Sequence, residues 1–194
     1  MATNIEIEAK CLISKEEYNK IIDFYHADKF DRIKQVNHYI DTDDLKLNKA
    51  GFGLRIREKD DSFVINLKCP LAEGLLEKNE KISWREYEVF RDEGEFPTCG
   101  IKEFITMLNI DPKELRIQTT LKTERIEIEE FKDEGDFAID KNTYNGITDY
   151  ELELEGNSLN KAKEALKAIC EEAGIHYVDN SKNKQIRALE TLKH

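Results

Sequence analysis

Polar and apolar residues alternate along much of the chain, and the parity of that alternation marks out strands. In residues 5–11, Ile5, Ile7, Ala9 and Cys11 share one face while Glu6, Glu8 and Lys10 share the other. In 51–59, Leu54 and Ile56 oppose Arg55, Arg57 and Lys59, and in 63–69, Phe63, Ile65 and Leu67 oppose Asn66 and Lys68. The segment 149–155 sets Tyr150, Leu152 and Leu154 against an unbroken acidic row, Glu151, Glu153 and Glu155. Further strands are predicted over 35–41, 82–90, 119–130 and 136–140, with turns at 60–62 and 133–135. Parity is mixed in 82–90, where Glu86 and Glu88 share a face with Trp84 and Phe90.

Other segments follow a helical period. Ser14 with Glu17 is a capping-box signature, and Tyr18, Ile21, Ile22 and Tyr25 then recur on one side of a helix ending near residue 27. A second helix is predicted over 159–173, capped by Asn157 or Ser158 and stopped at Gly174. A third spans about 180–192 and carries Lys182, Lys184 and Arg187. Residues 96–115, with Pro97, Gly100 and Pro112 around two short helical patterns, read as an inserted helical cap. With no repeat and no linker, the 194 residues are expected to form one domain, 1–194.

For any one strand, charges facing water are the ordinary reading. Here the ionic faces are sorted by sign, acidic near both ends of the chain and basic near the middle, which a mixed solubilising surface does not require. An α+β fold accounts for it: an antiparallel, eight-stranded closed β-barrel, with apolar rows turned outward under the helices and ionic rows lining the interior. Clustered acids repel one another there and desolvated cations are costly, and divalent metal plus a polyphosphate relieve both. Oxygen ligands without a His or Cys cluster favour Mg2+ or Mn2+, and Arg forks match phosphate oxygens. A ligand with several phosphates is the expected partner, and the chain is expected to be a monomer or homodimer.

Composition narrows the classes. A net charge of -11 argues against nucleic-acid and membrane partners, which are held by positive fields. No apolar run approaches the ~20 residues of a membrane span, and the N-terminus has no signal-peptide pattern. The scattered Cys11, Cys69, Cys99 and Cys170 suggest a reduced, cytoplasmic protein. His26, His38, His176 and His194 lack metal spacing, and no Ser/His/Asp or Cys/His arrangement is visible. Gly51 and Gly53 read as turn residues, and Tyr39 and Asp41 as positions on an exposed edge strand.

The order of the charged motifs resembles the CYTH, or triphosphate tunnel metalloenzyme, superfamily. It comprises Glu6-x-Glu8-x-Lys10, Arg55-x-Arg57, Lys68 before Cys69-Pro70, Arg125, Asp140 and the Glu151-x-Glu153-x-Glu155 row, with a looser match at Lys184-x-x-Arg187. The resemblance implies a triphosphate tunnel in which Glu6, Glu8, Glu151 and Glu153 hold metals near Asp140. It assigns Lys10, Arg55, Arg57, Lys68, Arg125 and Lys184 to the phosphates, and Glu6, Glu8, Lys10 and Asp140 to the catalytic set. Relatives often carry Lys-x-Arg where this chain has Thr123-x-Arg125. The activity so implied is metal-dependent hydrolysis of a triphosphate: inorganic triphosphate first, then thiamine or nucleoside triphosphates. The alternatives are a class IV adenylyl cyclase and a polyphosphate- or nucleotide-binding module without turnover.

Overall fold

The computed structural model describes residues 2–129, 131–180 and 182–192. Glu130, the expected end of one strand, Ser181 in the expected last helix, and His194 lie outside them.

The strands are β1 (Ala2–Glu6), β2 (Glu8–Ile13), β3 (Arg32–Asp41), β4 (Gly53–Lys59), β5 (Ser62–Pro70), β6 (Leu75–Ile82), β7 (Arg116–Ile128), β8 (Asp136–Tyr144) and β9 (Ile147–Glu155). The helices are α1 (Lys15–Tyr25), α2 (Lys46–Lys49), α3 (Trp84–Glu93), α4 (Gly100–Met107), α5 (Leu159–Glu172) and α6 (Lys184–Glu190). The strands hydrogen-bond as an antiparallel sheet in the order β1-β6-β5-β4-β3-β7-β8-β9-β2, nine strands where eight were expected. The α+β class stands. No helix among the described residues is long and apolar enough to cross a membrane.

Two differences from the sequence pattern account for the strand count. Residues 5–11 are not one strand: the chain changes partners at Ile7, so that β1 neighbours β6 and β2 neighbours β9. Residues 82–90 are not a strand either. Ser83 accepts from the Glu86 N–H and Glu86 reaches back to the Ser83 N–H, a capping box that opens α3. Tyr87 and Phe90, three apart, then bury one helical side, so the mixed parity was a helical period. The strand lies just before it, as β6, where Leu75, Glu77, Asn79 and Lys81 alternate with Leu76, Lys78, Glu80 and Ile82 and neither face is apolar enough to stand out.

The chain groups into two compact units. In the first (Met1–Ile5, Gln35–Leu121, Lys184–His194), the apolar face of β4 and β5, Leu54, Ile56, Phe63, Ile65 and Leu67, packs with Tyr87 and Phe90 of α3 and Ile101 and Ile105 of α4. In the second (Glu6–Lys34, Lys122–Asn183), Ala9, Cys11, Ile139, Leu152 and Leu154 pack with Ile21 of α1 and Leu166 and Ile169 of α5. In each unit the apolar rows lie under the helices, as the alternation predicts, which leaves the ionic rows on the opposite faces.

Candidate functional site

In the second unit, cross-strand register assembles the acids. Asp140 on β8 stands opposite Glu151 on β9, and Glu153 stands opposite Lys10 on β2. Directly paired residues share a sheet face. One carboxylate oxygen from each of Asp140, Glu151 and Glu153 lies within 4.8 Å of the others, and all three residues are buried. Glu8 joins through Lys10, whose Nζ lies 2.6 Å from Glu8 and 3.8 Å from Glu153. Glu6 ends β1, half-buried, and is not one of the three clustered acids.

Arg125 on β7 donates to both oxygens of Asp140, at 2.8 and 2.7 Å, and also to Glu153. Burial works against its charge, but Asp140 and then Glu153 outweigh that and hold the guanidinium pKa well above its ordinary value. Asn180 donates to Glu151 at 3.0 Å. Counted within the six side chains Glu8, Lys10, Arg125, Asp140, Glu151 and Glu153, four carboxylates face two cations. A surplus of two negative charges on an all-oxygen donor set fits a hard divalent cation.

The first unit holds the cationic row. Arg55, Arg57 and Lys59 share a face of β4, and Asn66 and Lys68 continue it on β5 by direct pairing with Arg55 and Gly53. The next strand supplies a residue the sequence did not flag: Glu77 on β6 lies opposite Lys68, 3.1 Å from its Nζ and 4.0 Å from Arg55. Burial raises the Glu77 carboxyl pKa, yet Lys68 and Arg55 more than reverse this and hold it at about 2. Arg57 donates through Nε to Asn37 at 3.3 Å, and the Asn66 amide donates to Asn79 at 2.7 Å. A cavity of about 300 Å³ is bordered by Arg57, Lys59, Ser62, Asn66 and Asn79. Lys184 opens α6 half-buried, with Gln185 and Arg187 of the same helix buried.

Other polar residues of the predicted strands have structural surroundings that the sequence pattern did not show. Asp41 and Tyr39 are buried rather than edge-exposed, because β3 lies inside the strand order. Asp41 accepts the N–H groups of Thr42, Leu47 and Asn48, fixing the turn into α2. Glu86 and Glu88 belong to α3, Glu86 as the closing member of its capping box. His38 is buried, with its ring nitrogens 3.0 Å from Thr120 Oγ1 and 3.1 Å from the Tyr87 hydroxyl.

The family model described as the CYTH domain matches residues 4–186. A Bacillus subtilis (strain 168) protein named "Putative triphosphatase YjbK" is 32% identical over 191 residues, spanning 98% of this chain and 97% of its own. A crystal structure from Bacillus halodurans, called "a putative adenylate cyclase", is 37% identical with a TM-score of 0.87, covering 96% of this chain and 98% of its own. A Hippeastrum protein called a "putative adenylyl cyclase" with a dominant triphosphatase activity superposes with a TM-score of 0.75 at 22% identity, over 98% of this chain and 97% of its own, a likeness of fold alone. With the family pattern running through both units and matched from residue 4 to residue 186, this chain belongs to the CYTH domain family.

Proposed function

We propose that the protein hydrolyses a triphosphate with the help of a divalent metal, Mg2+ or Mn2+, with inorganic triphosphate as substrate ahead of thiamine and nucleoside triphosphates. The observation that carries this reading is the oxygen cluster of Asp140, Glu151 and Glu153 with its local excess of negative charge. The cationic row of the first unit and the name of the Bacillus subtilis relative support it.

In this reading Asp140, Glu151 and Glu153, with Glu8 and Glu6, hold the metal. A divalent cation supplies charge neutralisation and Lewis acidity toward phosphoryl oxygens. Arg55, Arg57, Lys68, Lys10 and Lys184 bind the phosphate chain: the Arg forks meet two oxygens at once, and the Lys ammonium groups act as point charges. Glu77 keeps Lys68 and Arg55 aligned between turnovers. Arg125, expected among the phosphate ligands, is engaged by Asp140 and Glu153, so in this reading it positions those acids as well as facing the phosphate chain. Water attacks the terminal phosphorus, releasing orthophosphate and, from inorganic triphosphate, diphosphate. Positioning and electrostatic stabilisation provide the rate, and no nucleophilic side chain is required. We further read the chain as one cytoplasmic domain, monomeric or homodimeric.

The test is phosphate release from inorganic triphosphate, thiamine triphosphate and ATP, each with Mg2+ and with Mn2+. Release from none of them would end the proposal. A second reading, cyclisation of ATP, is favoured by the name of the Bacillus halodurans relative. Cyclic AMP and diphosphate from ATP, in place of orthophosphate, would support it.

A further inference from the structure

Within the first unit, two residues carry costs that no contact among the described residues offsets. Gly53 opens β4, directly paired with Lys68 of β5, and a glycine in a strand marks a close approach of other atoms. Unlike Gly51, at φ +82 in the preceding turn, it has no left-handed backbone to justify it. A Cβ at residue 53 would lie 2.7 Å from Gln185 Oε1 and 3.7 Å from Lys68 Cβ. The missing side chain is therefore the space in which the Gln185 carboxamide is seated.

Gln185 is only 6% exposed, and its Nε2 is buried with no hydrogen-bond partner among the described residues. An unpaired buried donor is destabilising, and an apolar side chain of that size would avoid the cost. Arg55, one step along the same face from Gly53, likewise leaves Nε buried and unpaired. Two unmet donors beside the Lys68 and Arg55 charges call for acceptor oxygens that are anionic and more than one in number. Glu77 already serves the two cations.

We infer that Gln185 is a substrate-binding residue whose carboxamide nitrogen donates to a phosphate oxygen at the Gly53–Lys68 end of the cationic row, with Gly53 present to admit it. This rests on the triphosphate reading of the site. It adds a neutral contact which selects for a phosphate oxygen held at that end and tolerates no bulk at residue 53.

Wild type, Gln185→Met, Gln185→Glu and Gly53→Ala should be compared by kcat and KM for inorganic triphosphate with Mg2+, by melting temperature without ligand, and by the triphosphate-induced rise in that temperature. Gln185→Met keeps the volume and removes the donor. It should raise KM about tenfold or more, with kcat changing less and the ligand-free melting temperature equal to or above wild type. Gln185→Glu should weaken binding further by repulsion, and Gly53→Ala should follow Gln185→Met because the carboxamide is displaced. An active wild type with an unaltered KM in Gln185→Met would refute this inference alone. So would a Gln185→Met variant that melts lower and loses affinity in step, since the amide would then be structural. A wild type neither hydrolysing triphosphate nor stabilised by it would remove the functional reading as well.

Discussion

Asp140 is fully buried and accepts both arms of the Arg125 guanidinium, so its charge is part of the fold as well as of the acidic cluster. Asp140→Asn removes that charge while keeping the shape, and breaking a buried pair costs about 3 kcal/mol or more. Relief of repulsion from Glu151 opposes the loss, but a bidentate contact is the larger effect. The melting temperature should drop by roughly 10 °C, and an unchanged melt would show that Arg125 finds equivalent partners. Glu77 offers a pH test. Its carboxyl is held at about 2 against 4.5 for the free group, so its stabilisation is complete above pH 4.5 and disappears as pH falls through the interval down to about 2. The amount is on the order of 3 kcal/mol, and Glu77→Gln should flatten the acid limb of a denaturation profile over that interval. The acids on strictly alternating strands were legible in the sequence, because period-two spacing on β2 and β9 fixes which side chains share a face. Glu77 and Gln185 were not legible: one sits on a strand with two polar faces, and the other depends on a glycine's missing side chain some 130 residues away.

At the level of elements, α3 shows how a short polar segment is misread. Its residues alternate in polarity, yet Ser83 and Glu86 close a capping box, and Tyr87 stacks on Phe63 of β5 with ring centroids 4.8 Å apart. Ser83→Ala should cost about 1 kcal/mol, visible as a lower urea midpoint with unchanged slope and unchanged triphosphate hydrolysis. The docking of α3 also involves His38, whose pKa is lowered by burial, with Glu58 opposing the shift. Imidazole is favoured neutral in the folded chain, so stability from this group is complete above about pH 6.5 and is lost as pH falls below it. The strands with one strongly apolar face, β4, β5 and β9, could be located from sequence to within two residues. Strand β6 could not, because cross-strand pairing with β5 rather than its own pattern makes it a strand.

For the whole molecule, the α+β class and most strands follow from alternation, whereas the strand order depends on where the chain changes partners. A chain of net charge -11 that gathers three buried acids, Asp140, Glu151 and Glu153, within 4.8 Å should be stabilised by a cation that binds only the folded state. At a hundredfold excess over Kd the gain is about 2.7 kcal/mol, so Mn2+ or Mg2+ should raise the melting temperature of wild type. Glu151→Gln should respond far less, and an equal response in both would place the metal elsewhere. The partner change at Ile7 has a consequence for shortened forms of the protein. A chain starting at Glu8 would keep every β2–β9 pairing, since that register begins with Glu8. It would also lose β1, so that the eight-residue β6 replaces the five-residue β1 as the terminal strand and offers a longer unpaired edge. Such a bare edge recruits strands from other molecules, so the truncated form should sediment as oligomers and precipitate on concentration while its acidic cluster stays assembled.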